Sequence, residues 1–420
     1  MASTYHQALR ASVEITLRQA VDSNRFIGLS FVSVSRSGEM LYSGAHGHRD
    51  FAKTIPMDVS TSGFMASMTK LMTSVAVMQV VERGLVGLDD DLGAIVPELS
   101  DRMVLVAFDT VSKSATFEKP REKITLRRLL THTSGFTYDV NNATLLAWAE
   151  ANGKDKEIFS GEWKAWERPL VFHPGSGWSY GQGLDWQAGL EQYMQENIWS
   201  PLGMSNTTFR PECRETYPML EVGFRVNGAL VPGQSPFPRP ARHDMGGGGI
   251  HSNAHDYALF LAALLVDDSP LLKRSSLEEF LRPQLGPSSR HELAQKRQLG
   301  LVQPDVPSSV RVDHCLGGLI NVDPIPGRRS AGSACWDGMT NSHWSLDRTT
   351  GVTNVLFVQV LPSPDWVTKE LWTDLETQVH EYLMKGTGCV EAVPIQRPIA
   401  AVVEEKPAFR VLDRSLDIVE

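Results

Sequence analysis

The fold is decided by the stretch Ser67-Met-Thr-Lys70-Leu-Met-Thr-Ser-Val-Ala-Val-Met-Gln-Val-Val-Glu-Arg-Gly84. It has no proline, stops at a glycine and carries apolar residues almost all round, which predicts a helix buried in the core. Residues three apart lie ~60° apart around a helix, so we expect the amine of Lys70 close to the hydroxyl of Ser67. A lysine in so apolar a helix needs a chemical reason.

Ser67 and Lys70 have the chemistry of an activated nucleophile. Burial disfavours a charged amine, so we expect a lowered pKa for Lys70 and a neutral amine that accepts the proton of Ser67. Because free N–H groups at a helix start stabilise negative charge, the N–H of Ser67 is expected to form half of an oxyanion hole. A serine and a lysine at this spacing also occur by accident, so the pair needs support from elsewhere in the chain.

Strand patterns lie on both sides of this helix. A turn is expected at Ser37-Gly38-Glu39, and helices at the N-terminus (residues 1–21) and over residues 365–384. Strands at both ends with helices between them predict an α+β fold, in which helices flank an antiparallel sheet and a mostly helical region is inserted. The predicted strands are 26–36, 40–45, 329–334, 342–346 and 353–361.

The same pattern suggests a division of the chain. Residues 103–123 are polar and irregular and are expected to form a mobile insertion. The C-terminal tail loses helical periodicity and contains Pro394 and Pro398, which predicts a loosely attached extension. The expected parts are a sheet region of residues 1–64 and 310–387, a helical region of residues 65–309, and the extension of residues 388–420.

Composition excludes several classes of protein. The formal net charge of −9 provides no basic field for nucleic acid or anionic lipid. No apolar run approaches the ~20 residues of a membrane span, and Arg10 and Glu14 interrupt the apolar run that a secretory peptide needs. We therefore expect a cytoplasmic protein without nucleic-acid or membrane partners, whose four cysteines are free thiols.

Three histidines are expected to be structural. His251 and His255 stand four apart, but no third ligand is evident, so no metal and no cofactor are predicted. Ser252 is expected to cap the helix predicted over residues 256–265. His132-Thr-Ser-Gly135 is expected to be a loop whose hydroxyl groups cap the next turn.

A competing nucleophile motif is Gly177-Trp-Ser179-Tyr-Gly181, which matches the G-x-S-x-G elbow of α/β-hydrolases. That elbow requires a strand before it and a helix after it, inside alternating β and α units. The preceding Phe172-His-Pro-Gly-Ser-Gly breaks any strand. Ser179 is therefore not expected to be the nucleophile.

A set of further motifs follows the serine and the lysine in order. With them the chain resembles the class C β-lactamase-like serine hydrolase family over roughly residues 10 to 385. In particular it resembles the fungal transesterases of the lovastatin side-chain acyltransferase kind. The motifs are Ile124-Thr-Leu-Arg-Arg-Leu-Leu-Thr-His-Thr-Ser-Gly135, Pro174-Gly-x-x-Trp178-Ser-Tyr180-Gly, Pro201-Leu-Gly-Met204 and Gly246-Gly-Gly-Gly-Ile-His-Ser252.

This resemblance implies a β-lactamase/transpeptidase-like fold and three catalytic residues. Ser67 is the implied nucleophile, Lys70 its base, and Tyr180 the phenol that shuttles protons between serine, lysine and leaving group. A tyrosine beside a cationic amine can act as an acid or a base, so its chemistry suits the role.

The resemblance also implies a strand opposite the nucleophile at Gly332-Ser-Ala-Cys-Trp336-Asp-Gly338-Met339. It assigns substrate binding to Trp336, Asp337 and Gly338, and a second oxyanion donor to the backbone N–H of Met339. The family carries a Lys-Thr-Gly or a Trp-Gly-Gly motif on this strand, and this chain departs from Lys-Thr-Gly. Without that lysine no cation holds a β-lactam or peptide carboxylate, and Trp336 indicates an apolar acyl or polyketide surface.

The implied function is acyl transfer in fungal polyketide secondary-metabolite biosynthesis. The acyl group passes from an ester or thioester donor, free or on an acyl carrier protein, to a small-molecule alcohol. If water accepts it instead, the chain is a carboxylesterase or β-lactamase-like hydrolase. A third alternative is a catalytically impaired binding protein, because Gln182 and Gly183 stand where the family has asparagine. In addition, only Gln187-Ala-Gly189 separates Leu184-Asp-Trp186 from Leu190-Glu-Gln-Tyr193, and these two motifs lie farther apart in the family.

Overall fold

The computed structural model describes residues 2–154, 162, 166–185, 189–214, 217–235 and 243–386. The predicted C-terminal extension, with Cys389, lies outside them. The helices are α1 (Ala2–Asp22), α2 (Thr69–Glu82), α3 (Pro97–Ser100), α4 (Leu126–Leu130), α5 (Ala143–Ala151), α6 (Leu190–Met194), α7 (Ser200–Leu202), α8 (Ala254–Leu265), α9 (Arg274–Phe280), α10 (Pro287–Gln298) and α11 (Trp366–Gly386). The strands are β1 (Gly28–Ser35), β2 (Met40–Gly47), β3 (Gly63–Phe64), β4 (Val104–Asp109), β5 (Ser114–Glu118), β6 (Gly223–Val226), β7 (Ala229–Pro232), β8 (His251–Ser252), β9 (Val312–His314), β10 (Leu319–Asn321), β11 (Ala334–Asp337), β12 (His343–Asp347), β13 (Val352–Phe357) and β14 (Val360–Leu361).

A seven-stranded sheet joins the two ends of the chain. Its order is β2-β1-β13-β12-β11-β10-β9, and every neighbouring pair is antiparallel. The N-terminal strand β1 lies beside β13, with Ser30 opposite Phe357. The predicted α+β fold is therefore confirmed, whereas the boundaries at residues 64 and 309 stay a prediction.

Helices cover the sheet on two sides. On one side Val13 and Leu17 of α1 pack with Leu371 and Leu375 of α11 in a buried apolar cluster. On the other side α8 packs against β1 and β13, and α2 lies in the same core cluster as α8. Because α2 is apolar almost all round, it can be enclosed in this layer, as the sequence predicted.

Most of the predicted elements of the sheet are confirmed. β1, β2 and α11 fall within two residues of their predicted bounds, and Gly38, with φ 82°, makes the predicted turn between β1 and β2. The stretch 353–361 was expected to be one strand. It divides instead into β13 and β14, and β14 leaves the large sheet to pair in parallel with β6.

Two predictions about the middle of the chain are wrong. Residues 103–123 are not irregular, because β4 and β5 pair as an antiparallel hairpin with a register shift between Leu105 and Ala107. The hairpin is attached to the protein at Leu105, whose N–H donates to the carbonyl of Leu170 at 2.7 Å. Strands also occur between residues 223 and 321, where the sequence indicated none.

The strand predicted over residues 329–334 begins only at Ala334. The preceding Arg329 is fully buried in a cluster with Arg328, Asp305 and Glu376, where its guanidinium lies 2.9 Å from Asp305 and 3.2 Å from Glu376. Both carboxylates also pair with Arg328. Because a buried charge requires partners at specific distances, this cluster sets the local backbone and a regular strand starts after it.

The start of α8 differs from its predicted cap. Asn253, not Ser252, caps the helix, because its side-chain oxygen accepts the N–H of Asp256 at 2.8 Å. The hydroxyl of Ser252 lies 2.8 Å from that of Thr207 instead. Cys213, Cys315 and Cys335 are free, and no helix in the described part of the chain is long and apolar enough to cross a membrane.

The buried charge cluster yields a test of stability. Glu376→Ala leaves two buried guanidinium groups with one carboxylate, so we expect the free energy of unfolding to fall by about 3–5 kcal/mol. Urea denaturation measures this. The control is Glu381→Ala in the same helix, which removes an exposed pair with Lys385 and should leave the midpoint nearly unchanged. Equal losses in both variants would show that the cluster does not stabilise the fold.

Candidate active site

Ser67 sits at a sharp turn from a strand into the core helix. β3 ends at Phe64, and Ser67 lies in a 3-10 turn, Ala66–Met68, that leads directly into α2. Ala66 has a φ of 46°, a left-handed conformation that costs energy for a residue with a side chain. This turn leaves Ser67 half-exposed, while Ala66 and Met68 on either side of it are buried.

The amine of Lys70 lies close to Ser67, as the spacing predicted. Its Nζ is 3.5 Å from the Oγ of Ser67, and it donates to the hydroxyl of Tyr138 at 3.1 Å and to the carbonyl of Gly247 at 2.5 Å. The side chain is buried. Three oxygens therefore surround an ammonium group that has almost no contact with solvent.

The expected direction of the pKa shift is wrong. Burial lowers the pKa of Lys70, but the neighbouring groups Tyr138, Tyr180 and Asp185 raise it, and the net result lies above its usual value. The prediction considered burial alone, whereas the fold surrounds the amine with oxygens that favour the charged form. Lys70 is therefore an ammonium group at neutral pH.

Tyr180 lies against Lys70 through its ring. The Nζ of Lys70 is 4.8 Å from the ring centroid, and the Tyr180 hydroxyl accepts the indole N–H of Trp336 at 3.4 Å. Its backbone carbonyl accepts hydrogen bonds from Asn141 at 2.9 Å and from Thr137 at 3.2 Å. The loop that follows α4 thus holds Tyr180 beside the lysine.

Tyr138 is a site residue that the sequence analysis missed. Its hydroxyl is a direct partner of the lysine, and burial raises its pKa although the charge of Lys70 opposes this. It stands 68 positions from Lys70, so no helical or strand spacing indicates the contact. The only sequence signal is its place three residues after the His132-Thr-Ser-Gly135 loop, which was interpreted as structural.

His132 itself packs against the proposed catalytic tyrosine. Its ring centroid lies 4.7 Å from that of Tyr180 and 5.3 Å from that of His314. Burial, together with the charges of His314 and Lys70, holds the pKa of His132 well below its usual value, and burial lowers that of His314 to about 4. Both imidazoles are neutral at physiological pH, so they support the tyrosine as packing groups.

The elbow motif around Ser179 does not form an elbow. Residues 171–181 contain neither helix nor strand. Ser179 is buried, its Oγ lies 2.7 Å from that of Thr137, and its N–H donates to the carbonyl of His132 at 3.0 Å. Ser179 holds two loops together, as expected for a residue that is not the nucleophile.

The end of β11 abuts the nucleophile turn. A Cβ on Gly338 would lie 2.5 Å from the carbonyl oxygen of Met65, so only glycine permits this approach. Met339 follows at the turn between β11 and β12. Among the described residues its N–H donates to no backbone carbonyl, and the same holds for Ser67. Both N–H groups can therefore serve the proposed oxyanion hole.

Trp336 and Asp337 point to opposite faces of β11, as neighbouring strand residues do. Trp336 packs on Tyr180 with ring centroids 5.2 Å apart, but it is only 6% exposed, so it offers a substrate an edge rather than a broad wall. The carboxylate of Asp337 instead accepts the Nζ of Lys369 on α11 at 3.1 Å. The structure does not bring this carboxylate to the site.

The segment after Tyr180 bears on the impaired-enzyme alternative. Gln182 is fully buried and donates to the carbonyl of Trp166 at 3.2 Å, so it does not replace the family's asparagine as a substrate contact. Residues 186–188 lie outside the described residues. After them α6 begins and runs through a π-helical turn, Gln195–Trp199, into α7.

The described residues hold no group of three or more His, Cys, Asp or Glu side chains that could bind a metal ion. His255 lies 3.7 Å from Asp256, and His251 stands in β8, paired with β3. Behind Lys70 a cavity of about 10 Å³ is lined by Ser74, His314 and other buried residues. Since it has room for one water at most, an acyl substrate must approach Ser67 from its exposed side.

Comparison with known proteins agrees with this geometry. The family model described as "Beta-lactamase" matches residues 13–377. The chain belongs to the beta-lactamase family. Among curated relatives it is 30% identical to lovastatin esterase of Penicillium rubens over 387 residues, covering 87% of this chain and 96% of that protein. It is 31% identical to monacolin J acid methylbutanoyltransferase of Aspergillus terreus over 402 residues, covering 89% and 96%.

Solved structures give the same result for the fold. Unliganded simvastatin synthase from Aspergillus terreus superposes with a TM-score of 0.81 at 30% identity, covering 90% of this chain and 99% of that one. The hydrolase EstCE1 superposes with a TM-score of 0.69 at 18% identity, which shows the shared fold. The predicted β-lactamase/transpeptidase-like architecture and the resemblance to fungal transesterases are thus confirmed.

The contact between β11 and the nucleophile turn can be tested at one glycine. Gly338→Ala forces the two segments apart, so we expect a fluorophosphonate to label Ser67 at least tenfold more slowly. This corresponds to an activation free energy that is higher by ~1.4 kcal/mol or more. The control is Gly286→Ala, because a Cβ there meets nothing within 4 Å. Labelling of Gly338→Ala at the wild-type rate would mean that this approach does not shape the site.

Proposed function

We propose that this chain is an acyltransferase that moves an acyl group from a thioester or ester donor to an alcohol through a Ser67 acyl-enzyme. The observation that carries the proposal is the half-buried Ser67 hydroxyl 3.5 Å from the buried Lys70 ammonium, with two tyrosines on that ammonium. This arrangement supplies a nucleophile, a proton acceptor and a charge that stays in place during the reaction.

In the first half-reaction the Oγ of Ser67 attacks the donor carbonyl. Its proton passes to the Tyr180–Lys70 pair. The raised pKa of Lys70 favours its ammonium form, whose charge supports the phenolic oxygen of Tyr180 as the proton acceptor. The oxyanion accepts the N–H groups of Ser67 and Met339. The bond to sulfur or oxygen then breaks, and the leaving group takes the proton from the pair.

In the second half-reaction the alcohol acceptor enters. The pair removes the hydroxyl proton, and the alkoxide oxygen attacks the Ser67 ester carbonyl. When the tetrahedral intermediate collapses, the new ester leaves and the proton returns to the Oγ of Ser67. Tyr138 holds the Lys70 ammonium throughout, because its hydroxyl accepts one of the three N–H bonds.

The names of the relatives support transfer to a small-molecule acceptor. Three are named methylbutanoyltransferases, two acting on monacolin J acid and one on ML-236A carboxylate. We propose the same reaction class here, within fungal polyketide secondary metabolism. The lovastatin esterase, at nearly equal identity, favours hydrolysis as the second candidate. Overall identity does not separate the two, because the outcome depends on whether water reaches the acyl-enzyme.

We also propose a cytoplasmic location and a donor presented as a thioester on an acyl carrier protein. A thioester is an activated donor, and the attack on it requires no cation on the leaving group. Comparing kcat/KM for one acyl chain on a carrier protein and on a free thiol tests the donor.

The nucleophile is tested by comparing two serines. Ser67→Ala should abolish cleavage of a chromogenic short-chain ester, whereas Ser179→Ala should retain most of it, since only Ser67 has a lysine one helical turn away. Initial rates and intact mass after fluorophosphonate treatment measure this. The reverse result would identify Ser179 of the elbow motif as the nucleophile. An unlabelled, inactive wild-type chain would favour the binding-protein alternative.

The choice between transfer and hydrolysis is tested by competition. With a short branched acyl thioester and a saturating polyketide-like alcohol, we expect ester to exceed free acid, measured by chromatography. β-Lactams should be poor substrates, because no cation stands on β11 to hold their carboxylate. If free acid is the main product, the chain is an esterase. If it hydrolyses nitrocefin efficiently, it is a β-lactamase.

A further inference from the structure

The carboxylate of Asp185 lies near Lys70 and is linked to it through Gly247 rather than by a direct hydrogen bond. Its carboxylate is buried and accepts the N–H of Gly247 at 2.7 Å. The carbonyl of the same Gly247 accepts the Nζ of Lys70 at 2.5 Å. Gly247 thus connects the two side chains, because its N–H donates to the carboxylate and its carbonyl accepts a hydrogen bond from the ammonium.

Gly247 fits this role by its lack of a side chain. A Cβ there would lie 2.7 Å from both carboxylate oxygens of Asp185. The neighbouring Gly246 is fixed from α2, where its carbonyl accepts the hydroxyl of Thr73 at 2.7 Å. The carboxylate of Asp185 can therefore approach the backbone of Gly247 closely, and this backbone directs its carbonyl toward the amine of Lys70.

Four ionisable groups around Lys70 come from two segments, residues 132–138 and residues 180–185. Tyr138 and Tyr180 are phenols, and His132 is a neutral imidazole whose pKa lies well below its usual value. Asp185 is the carboxylate of this set. Burial raises the pKa of Asp185 above its usual value, although the charge of Lys70 and the N–H of Gly247 act in the opposite direction. Both of these contacts favour the ionised carboxylate.

We propose that Asp185 is the counter-ion of Lys70 and a positioning residue that acts through the carbonyl of Gly247. The proposal rests on the function proposed above for Ser67 and Lys70. Asp185 touches neither substrate nor the reacting oxygen. It sets the pH above which the Tyr180–Lys70 pair can accept the serine proton, because a nearby negative charge makes the pair hold its own proton more tightly.

The sign of the effect follows from this charge. Without the negative charge of Asp185, the pair loses its proton more easily. The ascending limb of the pH–rate profile then moves to lower pH. This holds whether the proton leaves the amine or the phenol. A carboxylate that merely braces the loop would change the rate at every pH and leave the limb in place.

The test is Asp185→Asn, which keeps an oxygen acceptor for the Gly247 N–H and removes the charge. We expect the ascending limb of Ser67 labelling by a fluorophosphonate, and of kcat/KM for a p-nitrophenyl ester, to move down by about one pH unit. The control is Asp256→Asn, a buried aspartate that accepts the N–H of Asn206 at 2.8 Å, whose limb should not move. An unshifted limb in Asp185→Asn overturns the proposal.

A second measurement covers the case in which Asp185→Asn folds poorly. Lys70→Met removes the other charge, so the double variant should be more stable than the two single losses predict when they are added. Tm values for the four chains give this coupling. If the two Tm losses add in the double variant, or if its Tm is no higher than that of Asp185→Asn, the two residues do not form a charge pair.

The two proposals fail differently. A wild-type chain that is neither labelled at Ser67 nor active on esters contradicts the proposed function, and the stability cycle still decides on the pairing of Asp185 with Lys70. A labelled and active chain with an unshifted limb and additive losses contradicts only the role of Asp185.

Discussion

The structure depends on keeping one ammonium group in its interior. Removing the charge of Lys70 from water costs several kcal/mol unless partners replace the lost solvent. The partners come from distant parts of the chain, since Tyr138 and Gly247 stand 68 and 177 positions away. The loops that carry them must close on α2 together. The site and the core of the helical region are therefore assembled by the same contacts.

The local part of this arrangement could be predicted from sequence. The three-residue spacing placed Ser67 beside Lys70, and hydrophobic periodicity placed α2 in the core, because both depend on helix geometry alone. Tyr138 and Asp185 could not be found in that way, because their contacts are set by tertiary structure. The pKa of Lys70 was predicted in the wrong direction for the same reason. Burial can be inferred from sequence, but the oxygens around a buried group cannot.

The errors in the fold have a similar cause. The hairpin of β4 and β5 lacks the usual strand signal, because residues 104–108 of β4 form a short unbroken apolar run and β5 is mostly exposed. Arg329 was placed in a strand because of its neighbours, but its two carboxylate partners, Asp305 and Glu376, lie elsewhere in the chain, and Glu376 is on α11. Such contacts override local strand preference.

The pairing of β1 with β13 also orders events during synthesis. Ser30 needs Phe357 as its neighbour, and ribosomes add roughly 5–20 residues per second. The first strand of the sheet therefore waits for about tens of seconds beside only β2, with its other edge open to wrong partners. The buried apolar face of α1 is available early and can cover part of this hairpin. The nascent chain acquires its nucleophile long before it acquires the strand opposite it, so activity can appear only after β11 and β13 have left the ribosome.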